Sequence, residues 1–161
     1  MKATICIGCD HAAVSAKDEI VKELRAADHD VDDMGASSSD PVDYPDVAAL
    51  VAERVSAGAA ERGILLCGTG IGVCIASNKI PGIRAALCHD ITTARLSRQH
   101  NDANVLCLGA RTTGIAVAMD IVRAWLAAEF EAGRHLRRIE KIAALEAGAH
   151  AASRARKELM R

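Results

Sequence analysis

From Ala3 to Phe130 the chain alternates short apolar runs with segments whose apolar residues recur every three or four positions. That alternation is the pattern of repeated βα units around a parallel sheet. Five strands are predicted: Ala3 to Gly8, a weak one near Asp30 to Met34, Gly63 to Cys67, Arg84 to Cys88, and Asn104 to Gly109. Between them Ala16, Ile20, Leu24 and Ala27 fall on one helical face, and Ile115, Ala118, Val122 and Trp125 on another, so both faces should pack on the sheet. Apolar residues make up 50% of the chain and aromatics only 2%. The core must then be built from Ala, Val, Ile and Leu, as in helix-covered parallel sheets. At 161 residues the chain fits one domain.

The 20 basic and 21 acidic residues leave a net charge of −1, which argues against a protein that coats nucleic acid or a membrane surface. The apolar stretch after Met1 is too short for a signal peptide, and no later run approaches a bilayer-spanning length. A cytoplasmic protein with reduced thiols is expected, because most of its six cysteines sit inside strand-like runs. Gly35 to Pro45 is the one long loop, closed by Asp43-Tyr44-Pro45 before a helix. After Gly133 a charged, Ala-rich helix runs to Arg161 with Gly148 as its expected break. It reads as an arm that packs on a partner subunit or frays.

In a doubly wound sheet, ligands bind beyond the carboxyl ends of the strands. That rule gathers Cys9-Asp10-His11, Cys67 to Gly72, His89-Asp90 and Gly109-Ala110-Arg111. Cys67-Gly68-Thr69-Gly70-Ile71-Gly72 sets a thiol beside a glycine-rich turn into a helix, where free N–H groups and the helix N-terminus suit an anion and favour a thiolate. A plain turn over a buried cysteine is the bland alternative. Asp10 and His11 can move protons or hold a phosphate, and Asp10 can equally cap the next helix.

Cys6-Ile7-Gly8-Cys9 matches a redox dithiol, yet Cys6 lies within a strand rather than at a helix N-terminus. His11, His89, His100 and His135 lack the paired spacing of zinc sites, so no metal is expected. Gly68 to Gly72 also resembles a dinucleotide fingerprint with Asp90 as the ribose acid, which keeps a nucleotide-binding oxidoreductase open, although the spacing is G-x-G-x-G. Ser97 to Asp102 ends the fourth helix with a polar cluster that includes His100. Arg134 and Arg138, four apart on one predicted helix, can share a face and reach one phosphate or simply be solvated.

Taken together, Gly8-Cys9-Asp10-His11, Asp43-Tyr44-Pro45, Cys67 to Gly72, Asn78-Lys79, Gly82-Ile83-Arg84-Ala85, Ser97 to Val105, Gly109-Ala110-Arg111 and Gly133-Arg134-His135 resemble the ribose-5-phosphate isomerase B family. The match runs from Lys2 to about Ala143. The resemblance implies a Rossmann-like three-layer α/β sandwich, with an isomerase domain over 1–143 and a helical tail over 144–161. It also implies a metal-free, cofactor-free aldose–ketose isomerase for ribose 5-phosphate and ribulose 5-phosphate. On this reading Cys67 is the base for the C2 proton, His100 opens the furanose ring and Thr69 assists. Asp10 contacts the sugar hydroxyls. Gly68, Thr69, Gly70, Ile71 and Gly72 bind the reacting oxygens, Tyr44 walls the site, and Asn101 lies in it. His11, Arg111, Arg134 and Arg138 contact the sugar phosphate, some of them from the partner subunit of a homodimer or dimer of dimers. The apolar Val73 places the chain in the branch that uses cysteine as base. Isomerases of allose 6-phosphate, galactose 6-phosphate or a tetrulose 4-phosphate are the related alternatives.

Overall fold

The computed structural model describes residues 2–159, with side chains from residue 2 to residue 148. Its five strands are β1 (Thr4–Cys9), β2 (Asp30–Asp33), β3 (Arg62–Cys67), β4 (Ala85–Leu87) and β5 (Val105–Gly109). All neighbours pair in parallel in the order β2-β1-β3-β5-β4. The helices are α1 (Val14–Ala26), α2 (Tyr44–Ser56), α3 (Ile71–Ser77), α4 (Ile91–Asn101), α5 (Ile115–Ala127) and α6 (Leu136–Leu159). Every predicted strand is present, with no end shifted by more than one residue. The fold is the expected three-layer α/β sandwich.

Strand alternation divides the core into two layers, because successive side chains point to opposite faces. Ile5, Ile7, Ile64, Leu66, Leu106 and Leu108 meet α1, α4 and α5 through Ile20, Leu24, Ala94, Ile121 and Trp125. Cys6, Leu65, Cys67, Val105 and Cys107 meet α2 and α3 through Val47, Val51, Val55 and Val73. Trp125, the only tryptophan, is fully buried. β2 (DVDD) has little apolar content and owes its place to backbone pairing with β1 at the sheet edge.

Two helical details depart from expectation. α1 turns Lys17, not Ala27, to the protein: Lys17 is 2% exposed and its Nζ donates to both Asp33 oxygens at 2.9 and 2.7 Å and to the Ala36 carbonyl at 3.2 Å. Ala27 is the exposed C-cap of that helix. α6 passes through Gly148 without a break, because one glycine inside a helix costs only about 1 kcal/mol relative to alanine and does not by itself end it. Glu146 of the arm accepts the Gly82 amide at 3.0 Å, so α6 reaches back to its own β4 flank. Side chains beyond residue 148, and residues 160–161 of the expected tail altogether, lie outside the described residues.

Candidate active site

β1 passes to β2 on one side of the sheet, and the chain then returns to β3 on the other. This reversal opens a crevice beyond the carboxyl ends of β1 and β3, where α/β sheets bind ligands. Asp10, 8% exposed, follows β1; its amide donates to the Leu66 carbonyl at 3.2 Å and its Oδ1 accepts from the Ala12 amide at 3.0 Å. The carboxylate therefore closes the turn before α1, whose N-cap is Ala13, instead of capping the helix itself. His11 is exposed and its Nδ1 accepts from the Val42 amide at 3.3 Å. That bond ties the loop between β2 and α2 to the crevice and, in the neutral ring, leaves the proton on Nε2.

Opposite stands the turn after β3. The Gly70 amide donates to Cys67 Sγ at 3.1 Å, and the Ile71 amide to Thr69 Oγ1 at 3.3 Å. Among the described residues, the amides of Gly68, Thr69, Gly72 and Val73 have no protein acceptor and are free for a ligand. Gly70 adopts φ +77°, and a Cβ there would stand 2.5 Å from Leu87 Cδ1 and 2.8 Å from the Leu108 carbonyl carbon, so only glycine fits. Tyr44, the first residue of α2, lays its ring on Gly72; a Cβ at Gly72 would be 2.6 Å from it. The Arg111 amide donates to the Gly68 carbonyl at 2.9 Å and its side chain covers that glycine. The structure thus brings Asp10, His11, Tyr44, Cys67, Gly68, Thr69, Gly70, Ile71, Gly72 and Arg111 to one edge of the sheet.

His100, Asn101, Arg134 and Arg138 are elsewhere. α4 begins at the carboxyl edge and its 11 residues carry the chain about 16 Å to the opposite edge, where His100 and Asn101 end it. There the His100 ring stacks on His135 with centroids 4.3 Å apart and planes 6° from parallel. Glu131 Oε2 lies 3.9 Å from His100 Nε2, and Arg134 Nε donates to His135 Nε2 at 3.4 Å. Burial, followed by the nearby His100, Arg134 and Arg138, pushes the His135 imidazolium below its ordinary range. Arg134 lies in a 3-10 turn, Gly133–His135, and Arg138 in the first turn of α6, so the two do not share one helix as the spacing suggested. Left-handed Ala132 (φ +50°) redirects the chain just ahead of that turn.

The rival readings meet specific obstacles. Asp90 is spent as the N-cap of α4, accepting the Thr93 amide at 2.8 Å, and β4 is separated from β3 by β5. A ribose acid belongs on the strand next to the glycine turn. Cys6 and Cys9 face opposite layers of the core, and burial pushes both thiols up to about 11, which suits no redox dithiol. Cys74, unremarked in the sequence, is pulled down to about 7 by a hydrogen bond with Cys107. Its Sγ nevertheless donates to the Ala85 carbonyl at 3.5 Å behind α3, away from the crevice. Glu131 and His135 were also missed as neighbours of His100, since they lie 31 and 35 positions along the chain.

Sheet topology, a thiol held by a backbone amide and an adjoining bank of free amides define an α/β protein whose crevice can bind an anion or a developing oxyanion. The model of the Ribose/Galactose Isomerase family matches residues 5–142. Ribose-5-phosphate isomerase B of Escherichia coli K12 is 49% identical over 142 residues, covering 88% of this chain and 95% of that protein. The D-erythrulose-4-phosphate isomerase of Pectobacterium atrosepticum is 46% identical over 144 residues, covering 86% of this chain and 92% of the relative. The solved ribose-5-phosphate isomerase B of Clostridium thermocellum superposes with a TM-score of 0.90 at 49% identity, over 92% of this chain and 99% of that one. The chain belongs to the ribose/galactose isomerase family and is an aldose–ketose isomerase. None of the helices in the described residues is long and apolar enough to cross a membrane.

Proposed function

We propose that this protein interconverts D-ribose 5-phosphate and D-ribulose 5-phosphate in the cytoplasm, without metal or cofactor. The observation that carries the reading is Cys67 Sγ, held by the Gly70 amide at 3.1 Å beside the free amides of Gly68, Thr69, Gly72 and Val73. Cys67, as thiolate, takes the proton from C2 of the open-chain aldose, and the electron pair of that C–H bond moves into an enediolate. The O2 proton is transferred to O1 within the cradle, with Asp10 or Thr69 placed to relay it, and return of the carbon proton to C1 gives the ketose. The charge on the enediolate oxygens falls on the amide bank, where one preorganised donor contributes about 3 kcal/mol to the barrier. Thr69 supports the cradle, Asp10 takes the sugar hydroxyls, and Tyr44 walls the pocket. His11, Arg111, Arg134 and Arg138 hold the phosphate, which turns remote binding into orientation of the reacting carbons. His100 opens the furanose ring, with Asn101 beside it.

Because His100, Asn101, Arg134 and Arg138 stand at the opposite sheet edge, the reading requires a dimer in which they complete a partner's crevice. A tetrose phosphate is the second candidate substrate, favoured by the 46% identity to a D-erythrulose-4-phosphate isomerase. An isomerisation panel over four-, five- and six-carbon sugars, with and without phosphate, decides between them. Cys67→Ala should abolish turnover of every substrate while phosphate still binds, and Cys74→Ser should keep it. Near-normal turnover in Cys67→Ala would overturn the mechanism.

A further inference from the structure

Lys17 is the most deeply buried charged side chain among the described residues, and the proposed reaction does not use it. Burial opposes its charge, yet the bonds and the charge of Asp33 outweigh that, and the ammonium is held above its ordinary range. It is therefore charged at neutral pH, and its bonds to Asp33 and the Ala36 carbonyl hold the root of the loop between β2 and α2. Asp33 Oδ1 also accepts from the Gly35 amide at 3.1 Å, the Met34 amide donates to the Ile7 carbonyl at 2.8 Å, and the Ala36 amide to the Cys9 carbonyl at 3.1 Å. A Cβ on Gly35 would stand 2.5 Å from the Cys9 nitrogen, so the loop lies directly against the end of β1. From Ser37 to Val42 the loop makes a single hydrogen bond to the rest of the described residues, from the Val42 amide to His11 Nδ1. We propose that Lys17 is a positioning residue for phosphate binding: through Asp33 and the Ala36 carbonyl it aims the loop whose Val42 amide fixes the His11 ring. This role rests on the reading of His11 as a phosphate ligand.

The link works through the tautomer. With Nδ1 accepting, the neutral ring carries its proton on Nε2 and can donate it to a phosphate oxygen. Released from the amide, the ring turns and exchanges tautomers, so fewer molecules present that donor. The effect is confined to binding. Cys67 and the free amides belong to β3 and α3, and Tyr44 begins a helix anchored in the core through Val47, Val51 and Val55. Asp10 is held by its own bonds to Leu66 and Ala12. None of these contacts passes through Lys17 or Asp33.

Lys17→Met alone leaves the Asp33 carboxylate without its partner, so it is tested beside Lys17→Met/Asp33→Asn, which removes both charges and keeps an oxygen for the Gly35 amide. In each variant that remains folded by circular dichroism, KM for ribose 5-phosphate should rise about tenfold with kcat little changed. The dissociation constant of inorganic phosphate, read by NMR titration of the His11 ring, should rise by a similar factor. Adding Lys17→Met/Asp33→Asn to His11→Ala should raise KM by less than about twofold further, because the two changes act on one contact. In the wild-type protein the ring nitrogen shifts should report the Nε2–H tautomer of His11, a measurement that stands even if both variants unfold. An Nδ1–H ring, unchanged phosphate affinity in a folded variant, a fall in kcat alone, or full additivity with His11→Ala overturns the role. Failure of the isomerase reading would show separately, as no turnover of ribose 5-phosphate by wild type while the phosphate constant and the ring spectrum still respond to Lys17.

Discussion

Ala132 is an exposed alanine at φ +50°, ψ −127°, a region that a side chain strains by about 1–3 kcal/mol. It belongs to neither core layer, so Ala132→Gly relieves the strain and loses only the chain-entropy advantage of alanine, about 0.5–1 kcal/mol. A net gain of about 1 kcal/mol is expected, which thermal unfolding would read as a Tm raised by about 2–4 °C. An unchanged or lower Tm would contradict the strained turn. Gly70 is the opposite case, since its φ of +77° comes with backbone 2.8 Å from any added Cβ. Gly70→Ala should cost about 3 kcal/mol in urea unfolding and abolish isomerisation, because it displaces the amide that holds Cys67 Sγ. Full activity in a folded Gly70→Ala variant would separate the cradle from the chemistry.

α4 is the element on which the second group of candidate residues depends, and both its ends are fixed by carboxylates. At its start, the Thr93 amide holds the Asp90 carboxyl below its ordinary range. A carboxyl depressed in the folded state contributes stability that is present above its unfolded pKa of about 3.9 and is lost as pH falls through the folded value. Asp90→Asn keeps a capping oxygen without the charge, so wild type should exceed it in Tm at pH 7, with the difference shrinking below about pH 4. A difference that persists in acid would assign the effect to shape. At its end, Asp102 takes the left-handed conformation and accepts from Arg98 at 2.6 Å and Arg84 at 3.0 Å, which fixes the direction of His100 and Asn101. The elements themselves were legible because β3 (RGILLC) and β5 (VLCLG) centre on short apolar runs of Ile, Leu, Val and Cys and α5 keeps its apolar residues in phase. What local pattern cannot carry is a partner far along the chain. Lys17 reads as a solvent-facing lysine until Asp33, 16 positions on, comes beneath it, and His135 reads as one of a charged tail until it stacks on His100. The crevice residues were found together because strand ends are local features, whereas the ring-stacked cluster depends on the turn at Ala132.

At the scale of the whole molecule, the decisive feature is that a parallel sheet sends its helices back to the opposite edge. Cys67 ends a six-residue strand, and His100 ends the helix that returns past the same sheet, so about 20 Å of β-structure separates their ends of the molecule. No side-chain rotation closes such a gap, and one chain alone cannot apply both groups to one sugar. In a two-fold dimer the same pair of surfaces meets twice, so each crevice can receive the partner's α4 end together with its Arg134 and Arg138. The arrangement makes a complementation test decisive. Cys67→Ala and His100→Asn are each expected to be inactive on cyclic ribose 5-phosphate. When the two are unfolded together and refolded as a mixture, half of the dimers are heterodimers, and in each of these one crevice has lost both groups while the other keeps both. Activity should return to about a quarter of the wild-type level. If Cys67 and His100 acted within one chain, every site would carry one lesion and mixing would restore nothing.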